Sequence, residues 1–140
     1  MLLGKITNTM DPKGRVIIPS TFRNDLGPRF YITRGLEPCL YIFSEPEWVG
    51  FTERLREALP GSVEEYRDAY NHFVHNAVEC EADKQGRILI PQELREYALM
   101  DKDIQFIGDM TKVEVWNPAI YKNPEPMKVR KTLEEVHIKL

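Results

Sequence analysis

A nine-residue motif that occurs twice constrains this 140-residue chain more than any other feature. The segment Asp11–Pro19 reads DPKGRVIIP, and Asp83–Pro91, 72 positions later, reads DKQGRILIP. Over thirteen aligned positions starting at the aspartate, six residues are identical and three more exchange one apolar side chain for another. Weaker similarity links Leu40–Phe43 to Val113–Trp116. Self-similarity at a fixed spacing indicates a duplicated structural unit, here of about 45 residues.

Both copies predict the same local structure. The Asp-x-x-Gly sequence favours a tight turn in which Asp11, or Asp83, accepts hydrogen bonds from backbone N–H groups. Gly14 and Gly86 supply a positive φ at the end of the turn, so that each copy forms a hairpin with a glycine bulge. We therefore predict β-β-α-β-β twice. The predicted strands are Lys5–Met10, Arg15–Ile18, Phe30–Thr33, Leu40–Phe43, Val78–Ala82, Arg87–Ile90, Ile104–Ile107 and Val113–Trp116, and the predicted helices are Ser20–Leu26 and Gln92–Ala98.

A unit of this size is too small to bury a stable core alone. Two units with matching apolar faces would complete one core by interleaving their strands. We therefore predict an α+β fold in which two tandem units form an intrachain pseudo-dimeric β-barrel, with helices between and after them. The predicted boundaries are 5–47 for the first repeat, 48–75 for a helical connector, 76–119 for the second repeat and 120–140 for a helical C-terminal tail.

Proline and apolar spacing define the predicted helices outside the repeats. Pro46 opens a helix and Pro60-Gly61 interrupts it before helical sequence resumes at Ser62. In the tail, apolar residues recur at helical spacing at Val129, Leu133, Val136 and Leu140. Packing of this tail on a neighbouring subunit and a free amphipathic helix both remain open.

Composition excludes several classes of protein. With 42% hydrophobic and 29% charged residues, the chain is neither disordered nor fibrous. The longest apolar run, Cys39–Phe43, has five residues, too few for a membrane span or a secretory leader. We therefore expect a cytoplasmic protein without a membrane partner, in which Cys39 and Cys80 are free, buried thiols.

The net charge of −3 conceals a segregation of charge along the chain. Residues 1–35 carry +4, residues 36–82 carry −7, and residues 83–140 are neutral. Electrostatic fields are screened over about 8–10 Å, so a basic face and an acidic face coexist on one domain. A basic surface around the first repeat is therefore compatible with the acidic total.

The repeated turn places a cation at the end of a two-stranded ribbon. Such a ribbon enters the major groove of DNA, where an arginine binds the O6 and N7 of guanine. We predict base contacts by Arg15 and Arg87 and phosphate contacts by residues near the turns. The predicted phosphate-binding residues are Lys13, Lys84, Arg23 and Arg95.

A purely structural interpretation competes with this one. Asp11–Arg15 and Asp83–Arg87 would then be ion pairs that only brace their turns. Two copies at equivalent positions, brought to one side by a pseudo-symmetric fold, favour the DNA-binding interpretation.

These residues also resemble a known family. The two Asp-x-x-x-Arg turns, together with Arg34–Leu40, Asn76–Ala82 and Val113–Asn117, are similar to the MraZ family of the swapped-hairpin AbrB superfamily (SpoVT-AbrB-like). The resemblance covers about residues 1–120 and leaves the tail from Pro124 unmatched.

The resemblance implies a bacterial, nucleoid-associated transcriptional regulator of its own operon of division and cell-wall genes. It also implies a homo-oligomer, a ring of about eight subunits, that binds short, guanine-containing direct repeats in double-stranded DNA. The alternative is a regulator that binds a partner enzyme, such as a neighbouring methyltransferase. Steep weakening by salt would distinguish DNA binding from an apolar protein interface.

Enzymatic activity is disfavoured, and we expect no cofactor and no small-molecule substrate. His72 and His75, near Glu79 and Cys80, are a conceivable metal cluster, but no third ligand at an established spacing accompanies them. Cys39 lies in an apolar run and is typical of core packing. RNA binding is also disfavoured, because aromatic and basic residues are not interleaved.

Overall fold

The computed structural model describes residues 1–140 and contains eight strands and five α-helices. The strands are β1 Leu2–Thr9, β2 Arg15–Ile17, β3 Phe30–Arg34, β4 Leu40–Ser44, β5 Val78–Cys80, β6 Arg87–Leu89, β7 Asp103–Met110 and β8 Val113–Trp116. The helices are α1 Ser20–Leu26, α2 Glu45–Ala58, α3 Glu64–Val74, α4 Gln92–Tyr97 and α5 Pro126–Glu135. The predicted α+β class is confirmed.

Every strand pairing in the structure is antiparallel. Six strands form one sheet in the order β1-β7-β8-β4-β3-β5, and β2 and β6 form a separate two-stranded ribbon. The predicted hairpins β3–β4 and β7–β8 are confirmed. The first strand of each repeat pairs with the third strand of the other, β1 with β7 and β5 with β3. The strands of the two repeats are therefore interleaved, while closure into a barrel stays a prediction.

The prediction that β1 and β2 pair as one hairpin is wrong, and so is its equivalent for β5 and β6. Beyond the turn β2 pairs with β6, and Val16 lies opposite Ile88 at the centre of the ribbon. The amide of Ile18 donates to the carbonyl of Gly86 (3.0 Å), and the amide of Ile90 donates to that of Gly14 (2.9 Å). Backbone N–H and C=O groups are the same in every strand, so β6 satisfies those of β2 as well as β1 of its own repeat would.

Both repeats contribute equally to the hydrophobic core. Of its 18 buried residues, nine precede the connector and nine follow it. Phe22 and Phe30 from the first repeat and Ile90 and Phe106 from the second are among the largest fully buried side chains. Each repeat thus lacks half of the core that stabilises it, in agreement with the size argument.

The connector packs on the sheet through aromatic side chains. Ser44 caps α2 by accepting a hydrogen bond from the Glu47 amide (3.4 Å). The helical structure is interrupted between α2 and α3, where Pro60 and Gly61 lie. The ring of Phe51 lies 5.0 Å from that of Phe43 and 5.1 Å from that of Phe73. Phe73 is the one buried residue of the two helices. Helix α2 begins three residues before the predicted connector.

The C-terminal tail contains a helix, α5, that is shorter than predicted: it ends at Glu135, before Val136 and Leu140, and buries none of its residues. Its neighbour Asn123 accepts a hydrogen bond from the Lys5 ammonium group (2.8 Å), while Tyr121 packs edge-to-face on Trp116. None of the five helices combines the length and the hydropathy that crossing a bilayer requires.

Candidate nucleic-acid interface

The two repeated turns have the same hydrogen bonds. In the first, the amide of Gly14 donates to the Asp11 carbonyl (3.0 Å), and Oδ1 of Asp11 accepts from the amides of Lys13 and Arg15 (both 2.9 Å). Gly14 has a φ of +89°, which L side chains rarely adopt. The aspartate and the glycine together fix the shape of the turn.

The second turn repeats this arrangement. The amide of Gly86 donates to the Asp83 carbonyl (2.9 Å), and Oδ1 of Asp83 accepts from the amides of Gln85 and Arg87 (both 2.9 Å). Gly86 has a φ of +81°. The lysine of each turn is exposed, but Lys13 occupies the third position of its turn and Lys84 the second. The two turns thus share a backbone and differ in where they present their positive charge.

Each turn arginine forms the ion pair that the structural interpretation anticipated. Nε of Arg15 lies 2.7 Å from Oδ2 of Asp11, and Nε of Arg87 lies 2.8 Å from Oδ2 of Asp83. The Nη1 and Nη2 atoms of both arginines make no hydrogen bond within the chain. The ion pair therefore positions each guanidinium while leaving its four Nη N–H groups for another acceptor.

The aspartates are held in their charged form. Hydrogen bonds from the Arg15 amide above all, and then from its side chain, hold the pKa of Asp11 below its ordinary value. The amide and side chain of Arg87 lower the pKa of Asp83 in the same way. Each turn is thus anchored by a carboxylate at neutral pH.

The ribbon brings Arg15 and Arg87 to one face. Arg15 lies opposite Leu89 and Arg87 lies opposite Ile17, and alternate residues of a strand point to the same side. The opposite face is formed by Val16 and Ile88, which are buried in the core. The arginine side chains are 38% and 31% exposed. Both guanidinium groups therefore lie on the solvent side of the ribbon, and the two turns lie at its two ends.

Arg23 and Arg95 pack behind the turns of the opposite repeats. A methyl group on Gly14 would lie 2.7 Å from Cζ of Arg95, and one on Gly86 would lie 2.7 Å from Cζ of Arg23. Nη1 of Arg23 donates to the Ile18 carbonyl (2.9 Å), and both arginines are half-buried. The sequence did not indicate this reciprocal packing, because it joins residues of different repeats; phosphate contact by these arginines stays a prediction.

The aliphatic members of the exposed face were also missed. Ile17 and Leu89 are 46% and 55% exposed. Their segments, Arg15–Ile18 and Arg87–Ile90, contain three apolar residues in a row, so periodicity gave no signal of which side chain faces outward.

The residues considered for metal binding have other partners. No group of three or more His, Cys, Asp or Glu side chains is placed to hold a metal ion. Nε2 of His72 hydrogen-bonds the Gly35 carbonyl (2.9 Å), and His75 is exposed. Cys39 and Cys80 are free and buried, and burial raises the pKa of these thiols to about 12 and about 11. Such thiols are poor nucleophiles at neutral pH.

Comparison with known proteins gives one family. The family model described as "MraZ protein, putative antitoxin-like" matches residues 1–67 and 73–128. A protein of Caldanaerobacter subterraneus subsp. tengcongensis is 48% identical over 122 residues, which are 87% of this chain and 85% of the relative. Relatives from Thermoanaerobacter pseudethanolicus (48% identical, 87% and 85% covered) and Carboxydothermus hydrogenoformans (44% identical, 88% and 85% covered) are similar. All three are named "Transcriptional regulator MraZ".

Proposed function

The chain belongs to the MraZ family, and on that premise we propose that it is a DNA-binding transcriptional regulator that reads base edges with the exposed face of the β2–β6 ribbon. We further propose that Arg15 and Arg87 bind guanines and that Lys13, Lys84, Arg23 and Arg95 contact or approach the phosphates. The two repeats would form a swapped-hairpin pseudo-dimer around this ribbon.

The placement of Arg15 and Arg87 on one ribbon face carries this proposal. A two-stranded ribbon fits the major groove, and an arginine binds the O6 and N7 of guanine through two N–H groups. Diagonal neighbours on adjacent strands lie about 7–8 Å apart, which is about two base-pair steps of 3.4 Å each. The two arginines would therefore address two guanines within one short site.

The ion pairs with aspartate support the same conclusion. Because Nε of Arg15 is bound to Asp11, and Nε of Arg87 to Asp83, each side chain is positioned before DNA arrives. Less conformational entropy is then lost on binding. The free Nη1 and Nη2 atoms provide the two donors that end-on recognition of guanine requires.

A single chain offers too few contacts for tight, specific binding. Each arginine–guanine pair contributes about 1–3 kcal/mol of discrimination. We propose that a homo-oligomeric ring of about eight subunits makes the later contacts intramolecular and raises avidity by about 10²–10⁴. Direct repeats spaced by about 10 base pairs would present the same groove to successive subunits. The proposed targets lie upstream of its own operon of division and cell-wall genes, which implies association with the nucleoid.

A mobility-shift experiment tests this function. The probe is the double-stranded DNA upstream of the chain's own gene, with a coding-region fragment of equal length as the control. We expect the upstream fragment to be retarded at a lower protein concentration than the control fragment. Light scattering gives the mass, and hence the number of subunits, of the free protein. Equal retention of both fragments by folded protein would contradict sequence-specific recognition.

A further inference from the structure

Two aliphatic side chains complete the exposed face that carries Arg15 and Arg87. Ile17 lies opposite Arg87 and Leu89 lies opposite Arg15, so exchange of the repeats maps one arginine–aliphatic pair onto the other. Single exposed aliphatic residues are common on protein surfaces. Here, however, two of them occupy equivalent positions on the face that bears both turn arginines. That coincidence requires an explanation specific to this face.

The major groove of DNA presents one apolar group to a protein, the C5-methyl of thymine. Residues directly opposite in an antiparallel pair have Cβ atoms about 4.5–5.5 Å apart. When an arginine binds a guanine, the aliphatic side chain opposite it therefore lies over a base pair one or two steps away, since each step is about 3.4 Å. An isoleucine or leucine at that place buries apolar surface only against a methyl group.

We propose that Ile17 and Leu89 contact the C5-methyl groups of thymines one or two base pairs from the guanines bound by Arg87 and Arg15, respectively. The inference rests on the proposed DNA-binding function and adds a second base identity to the site. Each ribbon then selects guanine through hydrogen bonds and thymine through apolar contact. The specificity-determining residues of the face are four rather than two.

Removal of the methyl groups from the DNA tests this inference without changing the protein. The fragment upstream of the chain's own gene is amplified with either dTTP or dUTP, which preserves every hydrogen-bonding group of the bases. We expect the wild-type protein to bind the uracil fragment about fourfold more weakly for each methyl group contacted, the factor that corresponds to about 0.8 kcal/mol per buried CH₂.

Variants of the two residues assign the effect to this face. Ile17→Ser with Leu89→Ser removes every methyl group from the two side chains without adding a charge and is expected to bring the thymine-to-uracil affinity ratio close to one. The matched control is Leu36→Ser, because Leu36 is 73% exposed in the loop between β3 and β4 and lies outside the ribbon. This control is expected to keep the wild-type ratio.

The outcomes separate this inference from the function beneath it. Equal binding of both fragments by the wild-type protein overturns the inference and leaves DNA recognition in place. An undiminished ratio in the double variant overturns it as well. Failure to bind either fragment overturns both the inference and the proposed function. A changed oligomeric mass of the double variant would assign the two side chains to a contact between protein copies instead.

Discussion

Gly14 and Arg95 are in contact across the two repeats, since a methyl group on Gly14 would lie 2.7 Å from Cζ of Arg95. Gly86 and Arg23 have the same relationship in the opposite direction. Each turn that presents an arginine to solvent is therefore supported from behind by a helix of the other repeat. The shape of the proposed DNA-binding face depends on the association of both repeats.

Replacement of Gly14 by alanine is expected to destabilise the protein by about 2–3 kcal/mol. A non-glycine residue in the left-handed region costs about 1–2 kcal/mol, and displacement of the Arg95 guanidinium adds to that cost. Gly4→Ala is the matched control, because Gly4 also has a φ of +89° but has no atom within 4 Å of the added methyl group. Urea denaturation measures both. Equal losses would show that the contact with Arg95 contributes nothing.

Arg15→Ala and Arg87→Ala are each expected to weaken binding to the upstream fragment by about 5-fold to 150-fold while the chain remains folded. The expected factor follows from the discrimination of about 1–3 kcal/mol that one arginine–guanine pair provides. Mobility shift gives the affinity, and far-UV circular dichroism reports the fold. Arg130→Ala, in the exposed tail helix, is the control and should bind as the wild type does.

Arg15→Lys separates base recognition from simple charge. The lysine keeps the positive charge but lacks the planar pair of donors. We expect it to lose specificity for the upstream fragment while retaining binding to unrelated DNA. If Arg15→Ala or Arg87→Ala unfolds instead, that arginine stabilises the turn, and the interpretation of the ion pairs as purely structural is supported.

Acid should destabilise the protein partly through the two turn aspartates. The folded state lowers the pKa of Asp11 and Asp83, whereas in the unfolded chain an aspartate has a pKa of about 3.9. Their contribution to stability is therefore present above about pH 4 and is lost as pH falls through the lower, folded-state pKa. Urea midpoints measured between about pH 2.5 and 6 should fall less steeply for Asp11→Asn with Asp83→Asn than for the wild type.

The control for this pH dependence is Asp101→Asn, because the Asp101 side chain forms no ion pair in the structure. It should retain the wild-type profile. A double asparagine variant with an unchanged slope would show that the turn carboxylates do not contribute to the acid sensitivity.

Salt should weaken DNA binding in proportion to the number of phosphate contacts. The logarithm of the binding constant falls with the logarithm of salt concentration by about 0.9 for each phosphate neutralised. Lys13→Ala and Lys84→Ala should each reduce that slope by about one and lower affinity for all sequences alike. Lys139→Ala, in the tail, should leave the slope unchanged. Binding that does not respond to salt would favour the protein-partner alternative.

Removal of the tail after Asn123 is expected to leave stability within about 0.5 kcal/mol of the full chain. Helix α5 buries no residue, and residues 129–140 lie outside the match to the family. Chemical denaturation measures the stability, and light scattering measures the mass. A particle with fewer subunits after truncation would show that α5 packs on a neighbouring subunit.

Local sequence signals predicted the elements but not the partners of every strand. Asp11 and Gly14 specify a turn through their own local hydrogen bonding and backbone conformation, and Pro60 prevents α2 from continuing because it has no backbone N–H. The pairing of β2 with β6, rather than with β1 of its own repeat, depends instead on how the two repeats pack together. A single sequence does not distinguish these two partners, because the apolar side chains of Val16 and Ile88 suit a buried strand in either pairing.

The candidate site divides in the same way. The ion pair between Asp11 and Arg15 spans four residues and follows from the turn. The packing of Arg95 on Gly14 spans the two repeats, and the hydrogen bond from His72 to the Gly35 carbonyl spans 37 positions. Such contacts arise only after the chain has folded, so the sequence left the metal-site alternative for His72 open until the structure was known.

The ribbon joins two halves that are similar in sequence but are encoded by different parts of one gene. A homodimer copies every substitution into both halves and so favours palindromic half-sites. In this chain, Pro12 and Lys13 of one turn already differ from Lys84 and Gln85 of the other. Mutation is therefore free to alter the base preference at one end of the ribbon while selection maintains the other.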